Sequence, residues 1–168
     1  MPTGFEQDTA AEPLGEGRYA INLSDRWWVG RGPNGGYVAA LMLRAMTGEV
    51  ASMEPEAALP PRSLSVHFLL RPEAGPAEIE VTVEHAGRVT AFLSARMVQS
   101  GEVKAKAMAV FSGEREGPAF DNSLMPKVPP PEELEEWDTE QAPVAVFGRY
   151  RAMMIKGIPG EAGERAET

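Results

Sequence analysis

Apolar residues recur along this chain in two different rhythms. From Asn34 to Val50 they keep helical spacing: Tyr37, Val38, Leu41 and Ala45 share a face with Asn34 one turn earlier, and Leu43 and Met46 widen it. The segment lacks proline and is rich in Ala, Leu and Met. The pattern predicts a helix over 35–48, buried on most sides and ending near Thr47-Gly48. After a Pro/Ala/Glu-rich loop at 51–61 the period drops to 2. Leu64, Val66, Phe68 and Leu70 alternate with Ser63, Ser65, His67 and Leu69. Ile79, Val81 and Val83 alternate with Glu78, Glu80, Thr82 and Glu84, and Val89, Ala91, Leu93, Ala95 and Met97 form one face of a longer run. Val103, Ala105, Ala107, Ala109 and Phe111 close the series. Turn residues at 71–76, 85–88 and 100–102 separate these runs, which read as four strands of an antiparallel meander. Arg18 to Leu23 adds a short strand upstream, with Tyr19 and Ile21 on one face.

A sheet with one apolar face must be covered. The helix at 35–48 is the candidate cover, so the expected fold class is α+β, an antiparallel β-sheet wrapped around one long central α-helix. That is the hotdog architecture, here as a single hotdog. Residues 1–17 are polar and read as a flexible N-terminal arm; residues 18–113 form the hotdog domain. Residues 114–143 read as an acidic, proline-rich linker with room for one helical turn. Residues 144–168 turn apolar again at Val144, Val146, Phe147, Tyr150, Met153, Met154 and Ile155, which look like one more strand, then end in a polar tail. They read as a remnant or start of a second hotdog.

Charge and composition narrow the function classes. The net charge of −9 belongs to the flanks: residues 17–113 carry 9 acids and 10 bases, whereas residues 114–168 carry 12 acids and 6 bases. A near-neutral body does not repel a phosphorylated ligand, yet lacks the basic stripe of a nucleic-acid binder. The chain has no cysteine, hence no disulfide framework, thiolate nucleophile or cysteine metal site. Two separated histidines without an acid cluster suggest no metal centre. No apolar run is long enough to span a bilayer, and Met1 to Gly17 lacks a signal-peptide pattern. A soluble, cytoplasmic protein is expected, with no nucleic-acid and no membrane partner.

The stretch Trp27-Trp28-Val29-Gly30-Arg31-Gly32-Pro33-Asn34-Gly35-Gly36-Tyr37-Val38, with the helix after it, resembles the helix start of the acyl-CoA thioesterase II group, the TesB-like enzymes with two hotdogs in one chain. Ser65-Val66-His67-Phe68-Leu69-Leu70-Arg71-Pro72 is similar to that family's strand ending in Phe-x-x-Arg-Pro, and Gly87-Arg88-Val89 through Gly101 to its Gly-Arg strand. The resemblance covers roughly residues 17–126. It implies hydrolysis of acyl-CoA thioesters with a water nucleophile, coenzyme A entering as part of the substrate and no further cofactor. It also implies edge-to-edge pairing, as a homodimer or with a separate second hotdog, with the clefts at that interface. Phe147-Gly148-Arg149-Tyr150-Arg151 resembles the start of the family's second half, and only 25 residues follow residue 143, so the second hotdog is expected to be absent. In the family the catalytic Asp with its Gln and Thr partners belongs to that half. A non-catalytic acyl-CoA-binding or structural half is therefore the alternative.

Hydrolysis needs a polarised carbonyl and an activated water. A helix N-terminus offers free N–H groups to a developing oxyanion. Gly36 is the expected donor, with Gly35 leaving room and Tyr37 as a second donor; otherwise Gly-Gly only lets the helix pass under the sheet. Helix positions up to Gly48 carry no acid; Glu49, at the far end, is expected to be solvated. Asp25 is a candidate base or a surface turn residue, and Asn34 positions a water or caps the helix. His67 is a candidate base or a hydrogen-bonded strand residue, and His85 is expected in solvent. Trp27 and Trp28 line an acyl or adenine pocket or pack on the sheet edge. Arg31, Arg71 and Arg88 are candidates for phosphate contacts.

Overall fold

The computed structural model describes residues 3–53, 59–114, 116–118, 120–138, 144–153 and 155. The chain divides into two units, Met1–Glu116 and Gly117–Thr168. The first holds α1 (Gly4–Asp8), β1 (Glu12–Gly15), β2 (Arg18–Leu23), a 3₁₀ turn at Asp25–Trp27, the two-residue strands β3 (Trp28–Val29) and β4 (Gly32–Pro33), α2 (Gly35–Met53), β5 (Pro61–Phe68), β6 (Gly75–Ala86), β7 (Thr90–Gln99) and β8 (Glu102–Ser112).

Six strands make one antiparallel sheet in the order β1-β2-β6-β7-β8-β5. This corrects the meander expectation. Of the four strands expected as a meander, only β6, β7 and β8 are joined as neighbours in sequence; β5 crosses to the far edge and pairs with β8, Val66 opposite Ala107 and Phe68 opposite Ala105. Alternation along a strand gives its face, whereas the choice of neighbour is a long-range matter. The β7–β8 turn is local: Ser100 and Gly101 have φ of 54° and 78°, the pair of positive values that a two-residue hairpin needs.

The inner face of the sheet carries α2. Leu41, Met42, Ala45 and Met46 are fully buried, as are Ile79, Leu93, Met97 and Phe111 opposite them. The inner positions of the central strands are mostly alanines, Ala91, Ala95, Ala105, Ala107 and Ala109, all buried. Their small side chains let a helix of large residues seat closely. Each such Leu or Met contributes about 1.5–3 kcal/mol on burial.

Three further expectations are corrected. Residues 1–17 are not a loose arm: Thr3 and Glu6 form a reciprocal capping box on α1, and β1 pairs with β2. The helix does not stop at Gly48 but runs to Met53. A Cβ on Gly48 would lie 3.2 Å from the Tyr19 ring, so close docking there accompanies the roughly 1 kcal/mol propensity cost of glycine. In the second unit, residues 144–158 hold no strand among the described residues. Ala145–Arg149 is a 3₁₀ turn, followed by an isolated bridge between Glu136 and Met153, and residues 156–168 lie outside the described residues. The expected helical turn of the acidic segment is a 3₁₀ turn at Pro131–Glu133. Arg151 donates to both carboxylate oxygens of Glu136 at 3.1 and 2.9 Å, and this holds the carboxyl below its usual range.

Candidate active site

The 19-residue helix α2 begins on a cap built by its own preceding residue. Asn34 Oδ1 accepts the N–H of Gly36 at 2.8 Å and of Tyr37 at 3.2 Å, while the Asn34 carbonyl accepts Val38 N–H at 3.2 Å. The backbone N–H of Asn34 donates to the Trp27 carbonyl at 2.8 Å, which ties the helix start to the 3₁₀ turn before it. Asn34 therefore caps the helix, and in this structure it holds the Gly36 N–H assigned to the substrate oxygen. The Gly35 N–H, one residue earlier, has no partner among the described residues.

Gly35 and Gly36 are exposed, but the space above Gly35 is shared. A Cβ there would lie 3.2 Å from the ring of Phe68, the last residue of β5. Two residues before the helix, a Cβ on Gly32 would lie 3.2 Å from the side-chain stem of Arg71. Residues 32–35 thus run beside residues 68–71. Next to this seam lies a cleft of about 320 Å³ lined by Asp25, Trp28, Arg31, Arg71, Pro72, Glu73 and Ala74. Four residues singled out from sequence meet in it. Neither Arg31 nor Arg71 is paired with an acid among the described residues, so both guanidinium groups are available to an anionic ligand.

The two tryptophans separate. Trp28 is half-buried on the cleft, whereas Trp27 is buried, stacked on Tyr37 with centroids 5.5 Å apart and met edge-on by Phe5 at 5.1 Å. The Tyr37 side chain points into the core. Its hydroxyl donates to the Asp8 carbonyl at 2.9 Å and accepts Ser24 N–H at 3.0 Å, and burial pushes its pKa up. Asp25 stands exposed at the cleft, in the 3₁₀ turn that Ser24 caps. His67 is not brought to the helix start. It faces Lys106 on the exposed outer side of the sheet, and His85 lies 6.3 Å from the Phe92 ring. Glu49 is not simply solvated: it accepts the Tyr19 hydroxyl at 2.8 Å, at the opposite end of α2. Asp8 went unread from sequence. Its carboxylate takes the Trp27 indole N–H at 2.9 Å and the Arg26 guanidinium. The signal was present as Thr3-Gly4-Phe5-Glu6, a capping-box spacing that marks a helix start.

Among the described residues no group of three or more His, Asp or Glu side chains gathers as metal ligands, and no helix is long and apolar enough to cross a membrane.

Comparison with known proteins bears on this geometry. Residues 23–112 match the family model described as "Acyl-CoA thioesterase N-terminal domain". A thioesterase-like protein, TwmA of Talaromyces wortmannii, is 33% identical over 99 residues, 58% of this chain and 27% of that protein. A hotdog-fold protein of Alicyclobacillus acidocaldarius superposes with TM-score 0.81 at 30% identity, covering 94% of this chain and 57% of that one. An acyl-CoA thioesterase II, TesB2 of Mycobacterium marinum, superposes with TM-score 0.65 at 25% identity, covering 79% of this chain and 47% of its own. The chain spans about half the length of these solved structures and about a quarter of the curated relative. With a six-stranded hotdog sheet around α2 and a family match across 23–112, the chain belongs to the acyl-CoA thioesterase family, through its N-terminal domain.

Proposed function

We propose that this domain takes part in hydrolysis of acyl-CoA thioesters by water. The thioester carbonyl oxygen sits at the start of α2, on the N–H of Gly35 and, once Asn34 yields it, of Gly36. The half-buried Trp28, with Arg31 and Arg71, which pair with no acid among the described residues, takes the phosphorylated part of coenzyme A. Water adds to the carbonyl carbon, the C–S bond breaks, and the thiolate leaves with the proton that the water gave up. Asp25, which lines the cleft together with Glu73, is the base of the proposal; no resident cofactor is needed, because coenzyme A arrives with the substrate. The observation that carries the reading is the convergence of Asp25, Trp28, Arg31 and Arg71 in one cleft beside the Gly35-Gly36 corner.

The edge strand β5 has one neighbour, β8, and Phe68, Leu69 and Leu70 at its end are exposed. Such an edge invites pairing. A second hotdog, from another copy or a separate chain, closes the cleft there. The lack of cysteine fits a reducing cytoplasm.

One observation favours a second reading, a half that binds acyl-CoA without turning it over. Among residues 35–48 of α2 there is no acid, and Glu49 is held by Tyr19 at the other end. Incubation with short- and medium-chain acyl-CoA and a thiol-trapping reagent separates the two. Turnover that falls about 100-fold in Asp25→Asn supports the enzyme. Saturable binding without turnover supports the second reading, and neither binding nor turnover refutes both.

A further inference from the structure

We propose that Asp8 is a positioning residue for the start of α2, so that residues 3–9 form a strap governing the site. The α1 helix is only 5 residues long, far too short to persist alone, so its place is set by what it touches. Several of its contacts fall on the residues that build the helix start. The Asp8 carboxylate is nearly buried and both oxygens are engaged, one by the Arg26 guanidinium and the other by the Trp27 indole N–H at 2.9 Å. Its backbone carbonyl accepts the Tyr37 hydroxyl at 2.9 Å. Phe5, one turn earlier, meets the Trp27 ring edge-on.

Both contacts converge on Asn34. The Trp27 carbonyl holds the Asn34 backbone N–H at 2.8 Å, and Tyr37 donates its own backbone N–H to Asn34 Oδ1 at 3.2 Å. Trp27 and Tyr37 also stack on each other, with an interplanar angle of 14°. Asp8 thus reaches the cap by two routes: through the indole it fixes where the Asn34 backbone sits, and through the Tyr37 hydroxyl it fixes the rotation of the first helical turn. Both of its oxygens are turned to residues of the strap's own anchor, Arg26 and Trp27, so the role proposed for Asp8 is to position and not to transfer a proton. Asp25 opens the 3₁₀ turn that contains Trp27, and Trp28 follows it, so the strap sets one wall of the cleft as well.

The inference rests on the proposed hydrolysis only for its kinetic readout, so two readouts are needed on the full 168-residue chain. The first is amide hydrogen exchange at Gly36 and Tyr37, which needs no activity. Asp8→Ala is expected to speed exchange at these two amides at least tenfold, while Asp8→Asn, which keeps an acceptor for the Trp27 indole, stays within about twofold of the wild type. The second is acyl-CoA turnover: Asp8→Ala lowers kcat about tenfold with little change in KM, and Asp8→Asn restores most of it. Trp27→Phe, which removes the indole donor but keeps the ring, guards against a variant that simply unfolds. It should reproduce the exchange effect, and Asp8→Ala should add little to it in the double variant. Unchanged exchange in Asp8→Ala, equal losses in Asp8→Asn and Asp8→Ala, or full additivity with Trp27→Phe overturns the strap. Absence of turnover in the wild type refutes the hydrolysis reading instead and leaves the exchange test standing.

Discussion

Replacing Asn34 separates its service to the fold from its service to the site. The Asn34 side chain accepts two N–H groups, from Gly36 at 2.8 Å and Tyr37 at 3.2 Å, and both lack another acceptor within the helix. Asn34→Ala removes both bonds. The Gly36 amide is exposed and regains water, so the cost is that of an ordinary lost cap, about 1 kcal/mol. In a folded unit of 116 residues that lowers the melting midpoint by about 4 °C. Asn34→Asp keeps the acceptor and adds a negative charge at the positive end of α2, so its midpoint should match or exceed the wild type by the equivalent of about 0.3–1 kcal/mol. Activity should order the variants differently. A fixed carboxylate about 4 Å from a developing oxyanion opposes it by about 4 kcal/mol at an effective dielectric of about 20. Asn34→Asp should then lose at least about 100-fold in acyl-CoA turnover, a larger loss than Asn34→Ala shows. Calorimetry and a thiol-release assay on the same samples provide both numbers. An unchanged midpoint in Asn34→Ala removes the cap, and full turnover in the stable Asn34→Asp removes the oxyanion from this corner.

Gly17 has a φ of 72°, and a Cβ there would lie well inside contact distance of the Val81 carbonyl oxygen, whereas Gly15, at φ 91°, has nothing within 4 Å of such a Cβ. Gly17→Ala should cost about 2–4 kcal/mol in denaturant unfolding and Gly15→Ala about 1–2 kcal/mol; equal losses would mean that the β1–β2 turn moves freely off β6. The Tyr19 hydroxyl is held above its ordinary pKa first by burial and then by the Glu49 carboxylate. Its stabilising effect is complete below the unfolded phenol value of about 10 and is lost as pH rises beyond it, so unfolding free energy should fall above pH 10 by less in Tyr19→Phe than in the wild type. If β5 is the pairing edge, the chain sediments above its monomer mass and Leu69→Glu with Leu70→Glu returns it to a monomer, while Phe120→Glu, in the other unit, changes nothing. A wild-type monomer at micromolar concentration refutes the homodimer.

The elements themselves were legible in the sequence because their signals are local. Period-2 alternation marked β5 to β8 within a few residues of their ends, and the Ala/Leu/Met run marked α2. Asn34 was readable as a cap because capping involves only the next three residues. Errors arose where distant contacts decide. Gly48 signals a helix end by propensity, yet Tyr19 lies against it and the helix continues to Met53. Phe68 belongs by alternation to the inner face, yet it ends 58% exposed because β5 is an edge strand and its ring lies over Gly35, which has no side chain to cover it. The polar composition of residues 1–17 hid a strap whose partners, Trp27 and Tyr37, lie 19 and 29 residues away from Asp8.

The sequence by itself determined a buried helix, period-2 strands, a glycine corner preceded by Asn34, and a near-neutral domain between acidic flanks. Each follows from side-chain periodicity, backbone freedom or charge, which are properties of short stretches. Only the tertiary structure decided that β5 lies beside β8, that Asp25, Trp28, Arg31 and Arg71 share one cleft while His67 faces away, and that Asp8 holds the helix start. Those outcomes depend on which surfaces bury each other across tens of residues, and a single chain's local pattern does not encode that choice in readable form.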